Sequence, residues 1–416
     1  MSSSFAARAG AVGDPPEHYG NPLGEQKALA AGRAIVDLSD RAVLTVSGVD
    51  RLSWLDSLTS QSLVKLLPAE SAETLLLDPT GRIQYAIRLV DDGDTTWLLV
   101  DAAQAPPLLA WLDRMRFTLR VEIADRSADF ATIGVLADGH RIEEFAAAPN
   151  RVPLVWVDPW RAVVAGGHQY ATAAEHPGAK WFYREVLVDR ALVDRDVPFA
   201  ASSLADATAP FPAADASAAS SAADVLAEFP AAGTLALEAL RIAAWRPRLA
   251  SEADEKTIPH ELDWLRCAVH LNKGCYRGQE TVAKVHNLGH PPRRLVMLHL
   301  DGSDGLLPAA GSEVLVAAAD PEPSVVLPSA APSAGSSPSA ASAAATAVGL
   351  ITSSALHYEL GPIALAVVKR NVSTDVTLLV RADGIEIAAG QEVIVPPGAG
   401  AEANIPRLPR LGAVSR

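Results

Sequence analysis

Pro291-Pro292 divides this chain more sharply than any other feature. Paired prolines fix two φ angles and remove two backbone donors, so neither a helix nor a central strand runs through them. Before the pair, helical and strand-like periods alternate. After it only strand-like runs occur: Leu295–Leu300, Glu313–Val316, Val348–Thr352, Ile363–Lys369, Val376–Arg381 and Glu392–Val395. Short runs separated by turn residues predict a small antiparallel barrel or sandwich.

Upstream, Ala42–Val46 reads as a strand, and Leu75–Leu77 and Arg82–Val90 as a hairpin closed by Asp78-Pro79-Thr80-Gly81. Thr95–Val100, Phe117–Ile123 and Thr132–Leu136 read as further strands. Leu108, Leu109, Leu112 and Met115 fall at helical spacing, and Trp181–Leu192 and Leu235–Ala244 also read as helices. The class is α+β followed by all-β. Four stretches lack periodicity and are rich in Ala, Ser, Pro or Gly: the start to about Gln26, Ala200–Asp224, Ala317–Ala347 and the end from Pro396. They bury too little to offset chain entropy and are expected to be poorly ordered. This gives a tail over 1–26, an α+β region over 27–292 of two intertwined subdomains with an insertion at 200–224, a β-domain over 293–397 with an insertion at 317–347, and a tail over 398–416.

At 416 residues the chain exceeds one ordinary domain of roughly 100–200 residues. Its net charge of −14 argues against a large nucleic-acid surface, which needs clustered Lys and Arg. Two cysteines, Cys267 and Cys275, are too few for a disulfide framework and point to a reducing compartment. The first twenty residues do not read as a secretory signal, and no run approaches the ~20 apolar residues that span a bilayer. A cytoplasmic protein without a membrane partner is expected. Cys267, His260, His270, His286 and His290 are close in sequence, but Cys267 and His270 follow an apolar pattern, and no metal site is expected.

The chemistry concentrates in Lys273-Gly274-Cys275-Tyr276-Arg277-Gly278-Gln279-Glu280. Gln279–Asn287 reads as a helix, with Glu280 in its first turn, His286 in its last and Gly289 as its stop. Gly274 and Gly278 then flank a turn at the helix entrance, where Cys275 meets free N–H groups beside Lys273 and Arg277. These favour the thiolate and mark Cys275 as the candidate functional thiol. A tight turn whose cysteine merely packs is the competing reading.

Lys-Gly-Cys-Tyr-x-Gly-Gln-Glu resembles the signature of the YgfZ family of folate-binding proteins, relatives of the glycine-cleavage T-protein, an aminomethyltransferase. Gly233–Ile242, Glu255–Glu261 and the pair Val348–Ser353 with Ile363–Ala366 resemble further segments of that family, so the likeness runs from about residue 28 to 397. It implies folate-binding α/β domains around a central channel and a C-terminal antiparallel β-barrel. It also implies tetrahydrofolate or a related folate as cofactor, and support of iron–sulfur cluster assembly or repair, including in tRNA-modifying enzymes. Partners would be iron–sulfur enzymes or cluster-assembly proteins, with no direct nucleic acid. A cluster would be held transiently if at all, since clusters take four thiolates and Cys275 offers one.

The chain departs from the T-protein where that enzyme carries acids. Gln84 and Tyr85 stand at its aspartate position, and Ala243 stands in its Arg-x-Glu pattern. Neither an amide nor a methyl accepts a proton at neutral pH, so the resemblance implies an accessory protein rather than a classical enzyme. The alternative is a folate-dependent aminomethyltransferase or demethylase using other residues. Trp245, Arg246 and Arg248 are the candidate folate contacts, for a flat pterin and an anionic tail. A core Trp245 with solvated arginines remains the other reading. The positions matching that family's tryptophan contacts hold Arg41 and Leu237.

Overall fold

A computed structural model describes residues 3–194, 226, 228–316 and 346–403. Among them, two five-stranded sheets and a closed six-stranded barrel carry the architecture. The first sheet is ordered Ser71–Leu77, Ile83–Asp91, Thr95–Asp101, Arg41–Ser47, Glu122–Asp125, antiparallel throughout. The second runs Val155–Val157, Tyr183–Asp189, Phe130–Leu136, Ile35–Asp37, Ala231–Ala232, with only its last pair parallel. The chain enters the second sheet at Ile35, passes to the first at Arg41 and returns at Phe130.

The barrel follows Pro292 directly. Its order is Arg293–Leu300, Gly361–Lys369, Thr346–His357, Glu313–Val316, Leu378–Ala382, Ile385–Val393. Closure leaves no free edge, and alternate residues such as Val296, Leu298, Ala364 and Ala366 fill the interior. An α+β body followed by an antiparallel barrel is the class expected from the sequence. A second, larger core joins both sheets to the outer face of the barrel through Leu295, Met297, Ile363 and Leu365.

Local chemistry accounts for the hairpin turn. Asp78 Oδ1 accepts from Thr80 N (2.7 Å) and Arg82 N (2.9 Å), and Gly81 supplies φ +81°.

Five expectations are corrected. Trp181–Leu192 is not a helix: Tyr183–Asp189 is a strand paired along its length with Phe130–Leu136, and only Arg190–Val193 is helical. The strand expected at Phe117–Ile123 begins at Glu122, because Phe117 turns the chain at φ +45°. The start of the chain, described from residue 3, is packed. Phe5 is fully buried, and Glu25, on the helix Pro22–Ala30, accepts from Tyr19 N, Asn21 N and Gly233 N. Residues 398–403 also pack, with Glu402 N and Ala403 N bonded to the last carbonyls of the helix Gln279–Leu288. The insertion at 200–224 and residues 404–416 lie outside the described residues, as does the second insertion up to 345. Thr346 and Ala347 already belong to a barrel strand.

Candidate functional site

A strand puts alternate side chains on one face, and four strand segments turn such faces toward a common space. Trp156 and Asp158 come from one, and Trp181, Tyr183 and Glu185 from its neighbour. Glu73, Ala86 and Arg88 come from the first sheet. The helix Thr234–Ala243 adds Leu237, Glu238 and Arg241, and the following chain adds Arg246, Arg248 and Trp264. They enclose a cavity of about 390 Å³, within the range of about 300–1,000 Å³ usual for small-molecule sites.

Two buried charge clusters form its floor. Glu185 Oε1 accepts from Arg41, from Arg88 Nη1 (2.7 Å) and from the Tyr183 hydroxyl (3.0 Å). Its second oxygen, Oε2, is buried without a partner. Burial raises this carboxyl's pKa, but Arg41 and Arg88 outweigh it and hold the group ionised, below its ordinary range. In the second cluster Arg246 donates through Nη2 to Glu73 (2.7 Å) and through Nε to Asp158 (2.9 Å), leaving Nη1 buried and unpartnered. Glu73 Oε2 also accepts from Trp264 Nε1 (2.9 Å) and Cys267 Sγ (3.1 Å), and Asp158 Oδ2 from Trp181 Nε1 (2.8 Å). Burial, reinforced by Glu73, raises the Asp158 pKa against the pull of Arg246. The Trp181 and Tyr183 rings lie 5.0 Å apart at 30°, giving the space a flat aromatic wall. Both unpartnered atoms, Glu185 Oε2 and Arg246 Nη1, belong to residues that line the cavity beside this wall.

The sequence candidates divide. Arg246 and Arg248 line the cavity, and so do Arg41 and Leu237. Trp245 does not. Its ring is buried between the body and the barrel, with Nε1 on Met297 Sδ at 3.1 Å. Arg248 is exposed at the rim and Arg246 is fully enclosed, so the pair is not solvated as a unit.

Among the described residues, none of 273–280 lines this cavity. Lys273 turns inward, donating to the carbonyls of Asp56, Thr59 (2.9 Å) and Gln61 (2.7 Å), and so closes the end of the helix Arg51–Leu58. Its ammonium is therefore committed to that helix rather than left free for the thiol, a correction to the sequence reading. Gly278, at φ +83°, lies against the hairpin turn: a Cβ there would come within 2.6 Å of Asp78 O. Gly274 is unconstrained, Tyr276 is buried, and Gln279 and Glu280 open the helix Gln279–Leu288. Cys275 is exposed. Arg277 reaches Gln84 Oε1 at 3.4 Å, and Gln84 lies two residues before Ala86 and four before Arg88 on the strand that enters the cavity. Cys267 is buried on Glu73, and His260 Nε2 contacts Val282 O at 3.1 Å.

Sequence reasoning missed Glu73, Asp158, Glu185, Trp156, Trp181, Tyr183 and Trp264. A signal existed for several. Trp181-x-Tyr183-x-Glu185 and Trp156-x-Asp158 have the period of a strand, and Glu73 is the one acid in the strand Ser71–Leu77.

No protein-family model matches the chain. The aminomethyltransferase of Chlorobium chlorochromatii is 29% identical over 106 residues, covering 24% of this chain and 27% of that protein. A chloroplastic protein of Arabidopsis thaliana, named only provisionally as a transferase, is 24% identical over 294 residues, covering 68% of this chain and 60% of its own length. The chain thus spans less than two thirds of either relative. Among solved structures, aminomethyltransferase T of the glycine cleavage system from Bartonella henselae superposes with a TM-score of 0.63 at 16% identity, covering 95% of this chain and 96% of that one. The chain has the aminomethyltransferase fold.

Proposed function

We propose that the cavity binds a tetrahydrofolate-type ligand and that the protein is a YgfZ-type accessory factor for iron–sulfur proteins, acting at its surface through Cys275. The observation that carries the folate reading is the pair of unpartnered atoms on the floor, Glu185 Oε2 and Arg246 Nη1. A pterin offers adjacent N–H donors beside a carbonyl acceptor on a flat ring. Glu185 takes the donors, Arg246 the acceptor, and Trp156, Trp181 and Tyr183 the ring. Bound tetrahydrofolate would supply a one-carbon acceptor. The protein's own contribution is to hold Glu185 ionised and to keep water from the ring.

Titration with tetrahydrofolate is expected to quench tryptophan fluorescence, because three lining tryptophans change environment. Glu185→Gln should weaken binding about tenfold or more, the loss of a charge-assisted pairing. No quenching in the wild-type protein sinks the folate reading. The accessory role rests on the exposed thiol at a helix entrance, away from the cavity. Cys275→Ala is expected to fold and bind folate normally yet lower the activity of iron–sulfur enzymes in cells. Full rescue by that variant removes the thiol from the function.

A second reading, a folate-dependent aminomethyltransferase or demethylase, is favoured by the carboxylates Glu73, Asp158 and Glu185 in the cavity. It requires turnover of tetrahydrofolate with an aminomethyl or N-methyl donor by the purified protein.

A further inference from the structure

We infer that the cavity takes folates carrying a single glutamate in preference to polyglutamylated ones; this rests on the folate reading above. The floor holds the two buried charge clusters beside the aromatic wall, so a pterin seated there leaves its tail toward the open side. That side is formed by Asp40, Asp101, Gln104, Glu238 and Arg248. Asp40 and Arg248 are exposed, and Asp101 and Glu238 are partly so.

The arginines deeper in the cavity are already matched to carboxylates: Arg41 and Arg88 to Glu185, Arg241 to Glu238 and Glu252, Arg246 to Glu73 and Asp158. Among the described lining residues there is no lysine, and Arg248 is the arginine with room for another anion. Its contacts are loose, 3.8 Å to Glu238 and 3.2 Å to Ser251 Oγ. One cation answers the first glutamate. Each further glutamate adds a carboxylate that meets Asp40, and Asp101, whose tie to Arg88 is long at 3.5 Å, on a chain whose net charge is −14. A longer anionic tail is repelled here.

The test compares tetrahydrofolate monoglutamate with its pentaglutamate, by calorimetry, on the full chain. At about 0.01 M salt the pentaglutamate is expected to bind about threefold to tenfold more weakly. The two should converge at about 1 M salt, where the Debye length falls from about 30 Å to about 3 Å. The double variant Asp40→Lys with Asp101→Asn is expected to reverse the preference, its folding checked by thermal unfolding. Tighter pentaglutamate binding by the wild type, equal binding at all salt concentrations, or a variant with unchanged preference overturns this inference alone. Failure of both forms to bind overturns the folate reading and the inference with it.

Discussion

Each buried charge in this protein survives on the partners it finds. Lys273 has three carbonyls and the Asp56 carboxylate at 3.3 Å, so it stays cationic although burial lowers its pKa. Arg246 has two carboxylates. His140 has neither kind of support. Its Nδ1 accepts from Ile142 N (3.1 Å), its Nε2 is buried without a partner, and its ring leans on Phe229 at 5.3 Å. Burial therefore lowers its pKa to about 4. The folded value lies below the unfolded one, about 6.5, so the neutral ring's contribution is complete above that pH and is lost as pH falls toward 4. Between pH 7 and pH 5 the cost is about 2 kcal/mol. His140→Asn keeps the capping acceptor and removes the titration. Denaturant unfolding at the two pH values should show the wild type losing about 2 kcal/mol more than the variant. Equal losses would mean that the ring is not held neutral.

Elements set by short-range chemistry were legible from the chain. The hairpin turn needed only Asp78 and Gly81, and the helix Gln279–Leu288 only its charged ends and Gly289. The all-β character of the last domain needed only its strand runs after Pro292, which left barrel and sandwich both open until the family resemblance chose the barrel. Trp181–Leu192 misled because aromatic and aliphatic residues crowd both faces of a strand buried in a sheet, hiding its period. Once it is read as a strand, Trp181, Tyr183 and Glu185 align and half the cavity wall appears. Gly278 shows how a local device ties two elements together. Its positive φ and its approach to Asp78 O fit the octapeptide onto the hairpin turn. Gly278→Ala should cost about 2–4 kcal/mol, about 1 for the left-handed backbone and the rest for the clash. Denaturant unfolding reads the loss. A cost under about 0.5 kcal/mol would show that the two elements part easily.

At the scale of the whole molecule the candidate site was not legible, because its walls come from residues 38 to 264 and no local pattern joins Glu73 to Glu185 or Arg246. The same long-range assembly decides how the protein unfolds. The barrel contributes no described residue to the cavity wall, yet two kinds of contact attach it to the body. One is polar: buried Glu252, paired within the body with Arg241 Nη1 (2.9 Å), accepts from Ser353 Oγ (2.7 Å) and Thr352 Oγ1 (3.2 Å) of the barrel, and Arg293 of the barrel pairs with buried Glu261 (2.8 Å) and with Asp254 (2.6 Å). The other is the shared core, in which Leu295, Met297, Ile363, Leu365 and Ile394 pack with Trp245 and the helix Thr234–Ala243. Breaking the buried ion pair costs about 3–5 kcal/mol, whereas five such side chains at about 1.5–3 kcal/mol each outweigh it. Glu252→Ala should therefore lower the unfolding midpoint without splitting the transition. Tetrahydrofolate at about a hundredfold excess over its Kd should add about 2.7 kcal/mol to that single transition in both proteins. Calorimetry that resolves two transitions, with the ligand shifting one of them, would place the joint in Glu252 rather than in the core.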